Sequence, residues 1–367
     1  MKKPMLFTVG PVYVEEDVLK EMSHQMFSHR SDEYRELHKN LIEKLKKFMK
    51  TKNEIFIFTS SSTGVMESIA RNLIDENDNA LCISNGAFGE RFAEVFKYNG
   101  KKFEILKKEW REGIFPEEVD EFLKKDDKIS LVTLVHNETS TGVMNKLKEI
   151  SKVVKAYNVL FCVDTVSSIG GAEVNVDEYK IDVCFFGTQK CLGVPPSMAI
   201  ASISDKALEK SKNVKNKGFY FNYEILKKSN EKNESPVTPP IPQMFALTKS
   251  LDLIENEGLE NRILRHKKVS EYVRKRIKEM EFEIFPDENF ASPTLTCVDV
   301  RKFKEKYNKF DIQEMNKEMK KRGFILAAGY GKIKDITFRI GNMGNVKMDD
   351  VEEMLNNLED VINKYKK

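Results

Sequence analysis

The chain has 367 residues, with 61 lysines and arginines against 58 aspartates and glutamates, a net charge of +3. That near balance gives no electrostatic footprint for nucleic acid or an anionic membrane surface. With 40% hydrophobic and 32% charged residues, it fits a water-facing globular chain of one large domain and a smaller one.

The opening stretch, "MKKPMLFTVGPVYVEEDVL", has two lysines but no apolar core. Pro4, Gly10 and Pro11 interrupt it, which argues against a signal peptide. No window reaches the ~18 uncharged apolar residues of a membrane span. The five cysteines (Cys82, Cys162, Cys184, Cys191 and Cys297) are odd in number and lack paired spacing. They predict no disulfide framework and a reduced, cytoplasmic protein. His24, His29, His38, His136 and His266 are scattered without metal-site spacing, so no metal is expected.

From about residue 55 to 210, short β-rich runs alternate with amphipathic ones. "EIFIF" (54–58) reads as a strand, and "TGVMESIARNLI" (63–74) as a helix with Val65, Met66, Ile69, Ala70, Leu73 and Ile74 on one face. "NALCIS" (79–84) is a strand, and "GERFAEVFKYNG" (89–100) a helix stopped by Gly100. After "KFEIL" (102–106), "PEEVDEFLKK" (116–125) has proline and acids at a helix start. "KISLVTLV" (128–135), "VLFCVD" (159–164), "DVCFFG" (182–187) and "MAIASIS" (198–204) complete the strands. Such nearly all-apolar strands predict an α/β fold with a mostly parallel sheet covered by helices on both faces.

The stretch 213–243 is polar, ends "ESPVTPPIPQ", and reads as a long loop. Helical runs follow at 242–256 and 259–280. Strands near 282–285, 293–299, 324–327 and 336–341, with helices near 311–322 and 348–365, predict a compact α+β unit. The expected division is a large domain over 16–259 and a small C-terminal α+β domain over 260–367, which the N-terminal segment 1–15 joins.

In an open α/β sheet, ligands gather beyond the carboxyl ends of the strands, and polar clusters stand there. "TSSSTG" (59–64) lies between a strand and a helix. Ser61, Ser62 and Thr63 would add hydroxyls to free helix N–H groups, a setting for phosphate, although one of them would suffice as a plain cap. Neither GxxxxGK[ST] nor GxGxxG is present. Asp164 ends an apolar run, either as a turn residue or as an anion for a cationic ligand atom such as a protonated pyridine nitrogen. Lys190, in "GTQKCL", is either a snorkelling side chain or an amine made nucleophilic by burial, able to condense with an aldehyde. "HNETSTG" (136–142) is a turn that leaves the same sheet edge. Arg339, inside the strand "ITFRIGNMG", asks for an anionic partner, internal or bound. Phosphate, aldehyde, basic ring nitrogen and substrate carboxylate are together the demands of pyridoxal phosphate with an amino acid.

The motifs "FTVGPVYVEEDVL", "SHRSDEYRELH", "HNETSTGV", "VDTVSSIGG", "GTQKCLGVPP", "TPP" and "FRIGNMG", in this order, span nearly the whole chain. It resembles the class V, fold-type I pyridoxal-phosphate aminotransferases, most of all their alanine/serine–glyoxylate (serine–pyruvate) branch. The resemblance implies a seven-stranded, mostly parallel large-domain sheet. It implies that Lys190 holds the cofactor and carries the proton between Cα and C4′, and that Asp164 faces the ring nitrogen. Val166 and Phe88 would sandwich the ring, Phe88 standing where relatives often have a larger aromatic. Ser61, Ser62, Thr63 and Gln189 would hold the phosphate, Ser62 departing from a frequent glycine. Thr139 would lie near cofactor or substrate, Arg339 would bind the α-carboxylate, and Gly10 would line the pocket. A homodimer is implied, with Thr238 reaching the neighbouring subunit's phosphate; Ser235 stands where relatives often place a tyrosine.

The implied reaction moves an amino group from alanine or serine to glyoxylate or pyruvate. Aspartate with 2-oxoglutarate is the alternative, and 2-aminoethylphosphonate with pyruvate stands third. A dicarboxylate would want a second cation, for which His24, His29 and Arg30 are candidates. A lyase of the same fold commonly has histidine before the lysine, where this chain has Gln189. A catalytically silent cofactor-binding protein would have lost Lys190, Asp164 or Arg339, and all three are present.

Overall fold

Seven of the apolar runs pair into one sheet. The structure is a computed structural model that describes residues 4–367, so residues 1–3 of the expected N-terminal segment lie outside the described residues. In chain order the strands are β1 (Met5–Phe7), β2 (Glu54–Phe58), β3 (Asn79–Ser84), β4 (Phe103–Lys107), β5 (Ile129–Val135), β6 (Leu160–Asp164), β7 (Val183–Gly187), β8 (Ala199–Ile203), β9 (Glu283–Ile284), β10 (Leu295–Asp299), β11 (Phe324–Ala328) and β12 (Thr337–Gly341). The large sheet runs β2-β8-β7-β6-β5-β3-β4. Its neighbours from β7 to β4 are parallel, and β8 is antiparallel to both β2 and β7.

Strands β6, β7 and β8 are buried along their whole length because helices cover both faces. Alternate residues therefore feed two separate cores. Leu81, Ile83, Phe161, Val163 and Phe186 pack into one, while Ala80, Cys82, Leu160, Cys162 and Phe185 pack into the other. The helix Ser62–Leu73 lays Val65, Met66, Ile69, Ala70 and Leu73 onto the second core at three- and four-residue spacing.

The second sheet runs β1-β11-β12-β10-β9. Its first strand comes from the N-terminus: Met5 to Phe7 pair parallel with Phe324 to Leu326. Its other pairings are antiparallel. Phe7 joins Phe282, Phe303, Phe338 and Leu358 in a core distinct from the two beneath the large sheet.

The stretch 213–243 is not a continuous loop. It contains a helix, Tyr223–Asn230, whose cap residue Asn222 accepts from the Glu224 N–H at 3.0 Å. Tyr223 and Leu226, three residues apart, bury against the second core, and that burial outweighs the polar composition around them. Among the described residues no helix is long and apolar enough to cross a membrane. All five cysteines are free and buried. Burial pushes the thiols of Cys82, Cys184, Cys191 and Cys297 up to about 12, and that of Cys162 upward as well.

Candidate active site

Three parallel strands end side by side. Asp164 is in register with Val135 of β5 and Phe185 of β7, so the turns after all three open on one edge. Asp164 is buried, and its carboxylate accepts one backbone hydrogen bond, from Val166 at 2.8 Å. Burial, together with the nearby charge of Glu138, pushes its carboxyl up to about 7. A cation placed beside it would reverse that shift.

Lys190 follows β7 by three residues and is 8% exposed. Its Nζ donates to the Val9 carbonyl at 2.5 Å. Burial, aided by the charge of Arg339, pulls the ammonium down to about 8, so a free amine is accessible near neutral pH. Gly10 makes room for it: at φ +122°, a methyl built there would stand 2.5 Å from Lys190 Cε. Cys191, beside the lysine, is a buried packing residue.

The hydroxyl run meets these tips from the neighbouring helix. Ser61 is the N-cap of Ser62–Leu73, yet its side chain bonds no helix N–H. Ser62 Oγ is buried without a hydrogen-bond partner. A spare cap and an orphaned hydroxyl at a helix N-terminus are the signature of an anion site. Gly187 keeps the space open, since a methyl there would lie 2.5 Å from Gln189 Oε1 and 2.7 Å from Ser62 Oγ.

The turn 136–142 is held by a buried network. Thr139 Oγ1 donates to Ser167 Oγ at 2.7 Å, and Asn137 Nδ2 donates to Thr294 Oγ1 at 2.8 Å. Glu138 is fully buried and accepts from the N–H groups of Phe88 and Gly89, at 3.0 and 3.1 Å. These are free donors at the start of the helix Ala87–Tyr98, so the carboxylate fixes the turn that presents Phe88. Arg339 donates from Nη1 to the Thr139 carbonyl at 2.9 Å and from Nε to the Ala328 carbonyl at 3.0 Å. It is 6% exposed. Among the described residues no carboxylate pairs with it.

These groups surround a cavity of about 380 Å³ lined by Gly10, Ser61, Ser62, Thr63, Phe88, Thr139, Asp164, Val166, Gln189 and Lys190. Arg339 stands behind Thr139 rather than in the lining. Thr238 is exposed and does not line the cavity. His24, His29 and Arg30 do not line it either: His24 contacts Glu21, and Arg30 bonds Glu234 and the Ser235 carbonyl. The lining also includes Arg91 and Asn137, which sequence reading passed over. Arg91 sits three residues after Phe88, a helical spacing that puts both on one face.

The arrangement offers free donors for an anion at a helix start, presents a carboxylate and an amine of lowered basicity to one cavity, and places a guanidinium behind it with no carboxylate partner among the described residues. Comparison with known proteins agrees with that chemistry. The profile of the aminotransferase class-V family matches residues 14–331. An uncharacterized aminotransferase of Methanocaldococcus jannaschii is 41% identical over 93% of this chain and 88% of its own length. A serine–glyoxylate aminotransferase of Methylorubrum extorquens is 32% identical over 93% of this chain and 86% of its own. The solved alanine–glyoxylate aminotransferase of a Nostoc species superposes with a TM-score of 0.91 at 26% identity, covering 99% of this chain and 96% of that one.

Proposed function

The chain belongs to the class-V aminotransferases, pyridoxal-phosphate enzymes of the type I fold, and we propose that it moves the amino group of alanine or serine to glyoxylate or pyruvate. Within it, residues 16–259 would form the cofactor-binding domain, and 260–367 with the segment 1–15 the smaller one.

The site's residues suit the cofactor. The orphaned Ser62 hydroxyl and the spare cap of Ser61, with Thr63 and Gln189, would take the phosphate. Asp164 would take the ring nitrogen; its upward-shifted carboxyl lacks the cation that would return it to the ionised state. Phe88 and Val166 would bound the ring. When bound, pyridoxal phosphate supplies an aldehyde for the amino group and an electron sink that acidifies the Cα hydrogen.

The protein's part is binding, orientation and proton handling. Arg339 grips the α-carboxylate, and the Thr139 carbonyl it bonds fixes its direction. Lys190, with its ammonium drawn down to about 8, takes the proton from Cα as a free amine and returns it at C4′. For the second oxo acid the same amine moves the proton in the opposite direction.

The observation that carries this reading is Arg339, buried with no acidic partner among the described residues and close enough to Lys190 for its charge to depress the lysine. The choice of small substrates is supported by the names of the two relatives above, both of which act on glyoxylate. One observation favours aspartate with 2-oxoglutarate instead: Arg91 places a guanidinium in the lining, in addition to the one Arg339 holds behind it. A panel of alanine, serine, aspartate and 2-aminoethylphosphonate against glyoxylate, pyruvate and 2-oxoglutarate tests the choice. Alanine or serine with glyoxylate or pyruvate is expected to give the highest kcat/KM. Faster turnover of aspartate with 2-oxoglutarate would sink the assignment.

We further propose a homodimer in which Thr238 serves the neighbouring subunit's phosphate. It is supported by the exposure of Thr238 away from its own cavity. A monomeric sedimentation mass would rule it out.

A further inference from the structure

Tyr330 lies in the loop between β11 and β12 and touches both sides of the cleft. Its ring stacks on Phe88, with centroids 5.8 Å apart and planes at 19°. Its hydroxyl accepts from Arg91 Nη2 at 2.9 Å. The Arg339 guanidinium lies 5.6 Å from the ring centroid. One phenol thus joins the residue proposed to bound the cofactor ring, the residue proposed to grip the substrate carboxylate, and the arginine of the cavity lining.

Arg91 itself is held by neutral groups. It rests 4.8 Å over the Phe88 ring and bonds the Tyr330 hydroxyl. The adjacent acid does not serve it, because Glu90 pairs with Lys107 at 3.1 Å and accepts from Trp110 Nε1 at 3.2 Å. No carboxylate among the described residues pairs with Arg91. Its direct partners are therefore a phenol and a ring face, and a carboxylate is a better acceptor than either.

A substrate with its α-carboxylate directed to Arg339 and its Cα at Lys190 would turn its side chain toward the wall made by Phe88 and Arg91, which Tyr330 braces from outside the lining. We propose that the Arg91–Tyr330 pair determines specificity at this wall. With the pair intact, Arg91 keeps its charge but commits Nη2 to the phenol, and the wall suits the small side chains of alanine and serine. A side-chain carboxylate enters only by taking Arg91 away from Tyr330. This inference rests on the transaminase reading above and on the seat it gives to Arg339.

The test compares holoenzyme variants Tyr330→Phe and Arg91→Gln by kcat/KM for aspartate over kcat/KM for alanine, with glyoxylate as acceptor. Freeing Arg91 in Tyr330→Phe should raise that ratio about fivefold, and Arg91→Gln should lower it by about as much. The double variant should behave as Arg91→Gln, because the phenol acts through the arginine. A ratio that stays within about twofold of wild type in either single variant overturns the proposal.

A binding readout separates this failure from failure of the donor assignment. Trp110 is the chain's single tryptophan, and it packs against the same loop: a methyl on Gly331 would stand 2.8 Å from its ring. Its emission can follow titration with succinate and with propionate. Tyr330→Phe should favour succinate over propionate relative to wild type, and Arg91→Gln should do the reverse. A wild type that turns over neither alanine nor serine defeats the donor assignment and leaves this affinity ratio to judge the pair. If both ligands shift alike, the pair does not select.

Discussion

At the sheet edge, Asp164 and Lys190 are held by short bonds to backbone from within the fold, to the Val166 N–H and the Val9 carbonyl. Elsewhere around the cavity, Arg339 and Arg91 bond only carbonyls and a phenol, and no carboxylate among the described residues pairs with either. The first region perturbs its own groups, raising a carboxyl to about 7 and lowering an ammonium to about 8 by burial. The second keeps positive charge uncompensated. The contrast separates a region that shapes reactivity from one that waits for an anion.

The largest expected effect breaks the reactive side. Lys190→Ala should lower transamination more than about 10⁴-fold, since it removes both the point of attachment and the proton carrier. Unchanged far-UV circular dichroism would show that the fold survives, and retained turnover with any donor would refute the role. A smaller effect should come from the waiting side. Arg339→Ala should raise KM for amino and oxo acids about 30-fold with a lesser change in kcat, because a charge-assisted pair with the substrate is lost. Steady-state kinetics decide this, and a fall in kcat with KM unmoved would shift Arg339 to the reactive side. The smallest is Ser62→Ala, expected to weaken retention of the cofactor about fivefold. Dialysis with absorbance monitoring measures it. No change would mean that the orphaned hydroxyl is satisfied by water rather than phosphate.

The reactive side is also the more legible in sequence. A lysine and an aspartate at the tips of apolar runs are conspicuous, because burial gives a charge no neutral explanation. The serine run exceeded what a cap requires, and Arg339 stood out inside an apolar strand. The other residues of the far wall left no such mark. Arg91 looks like one more charge on an amphipathic helix, and its place in the cavity follows from a turn that Glu138 fixes through backbone bonds. Tyr330 sits in a loop, whose position depends on a sheet assembled from both ends of the chain. The three-residue strand Met5–Phe7 is too short for periodicity to reveal, and its pairing with Phe324–Leu326 is a tertiary fact. The helix Tyr223–Asn230 was hidden by lysine and asparagine around two buried residues.

The five buried cysteines make the chain a recorder of its own opening. Each thiol is shielded and held protonated, so an alkylating reagent marks a cysteine only after the structure around it has come apart. Cys82, Cys162 and Cys184 lie in three strands of the large sheet, and Cys297 in the smaller one. The order in which these sites become labelled under mild denaturant would therefore time the loosening of one sheet against the other.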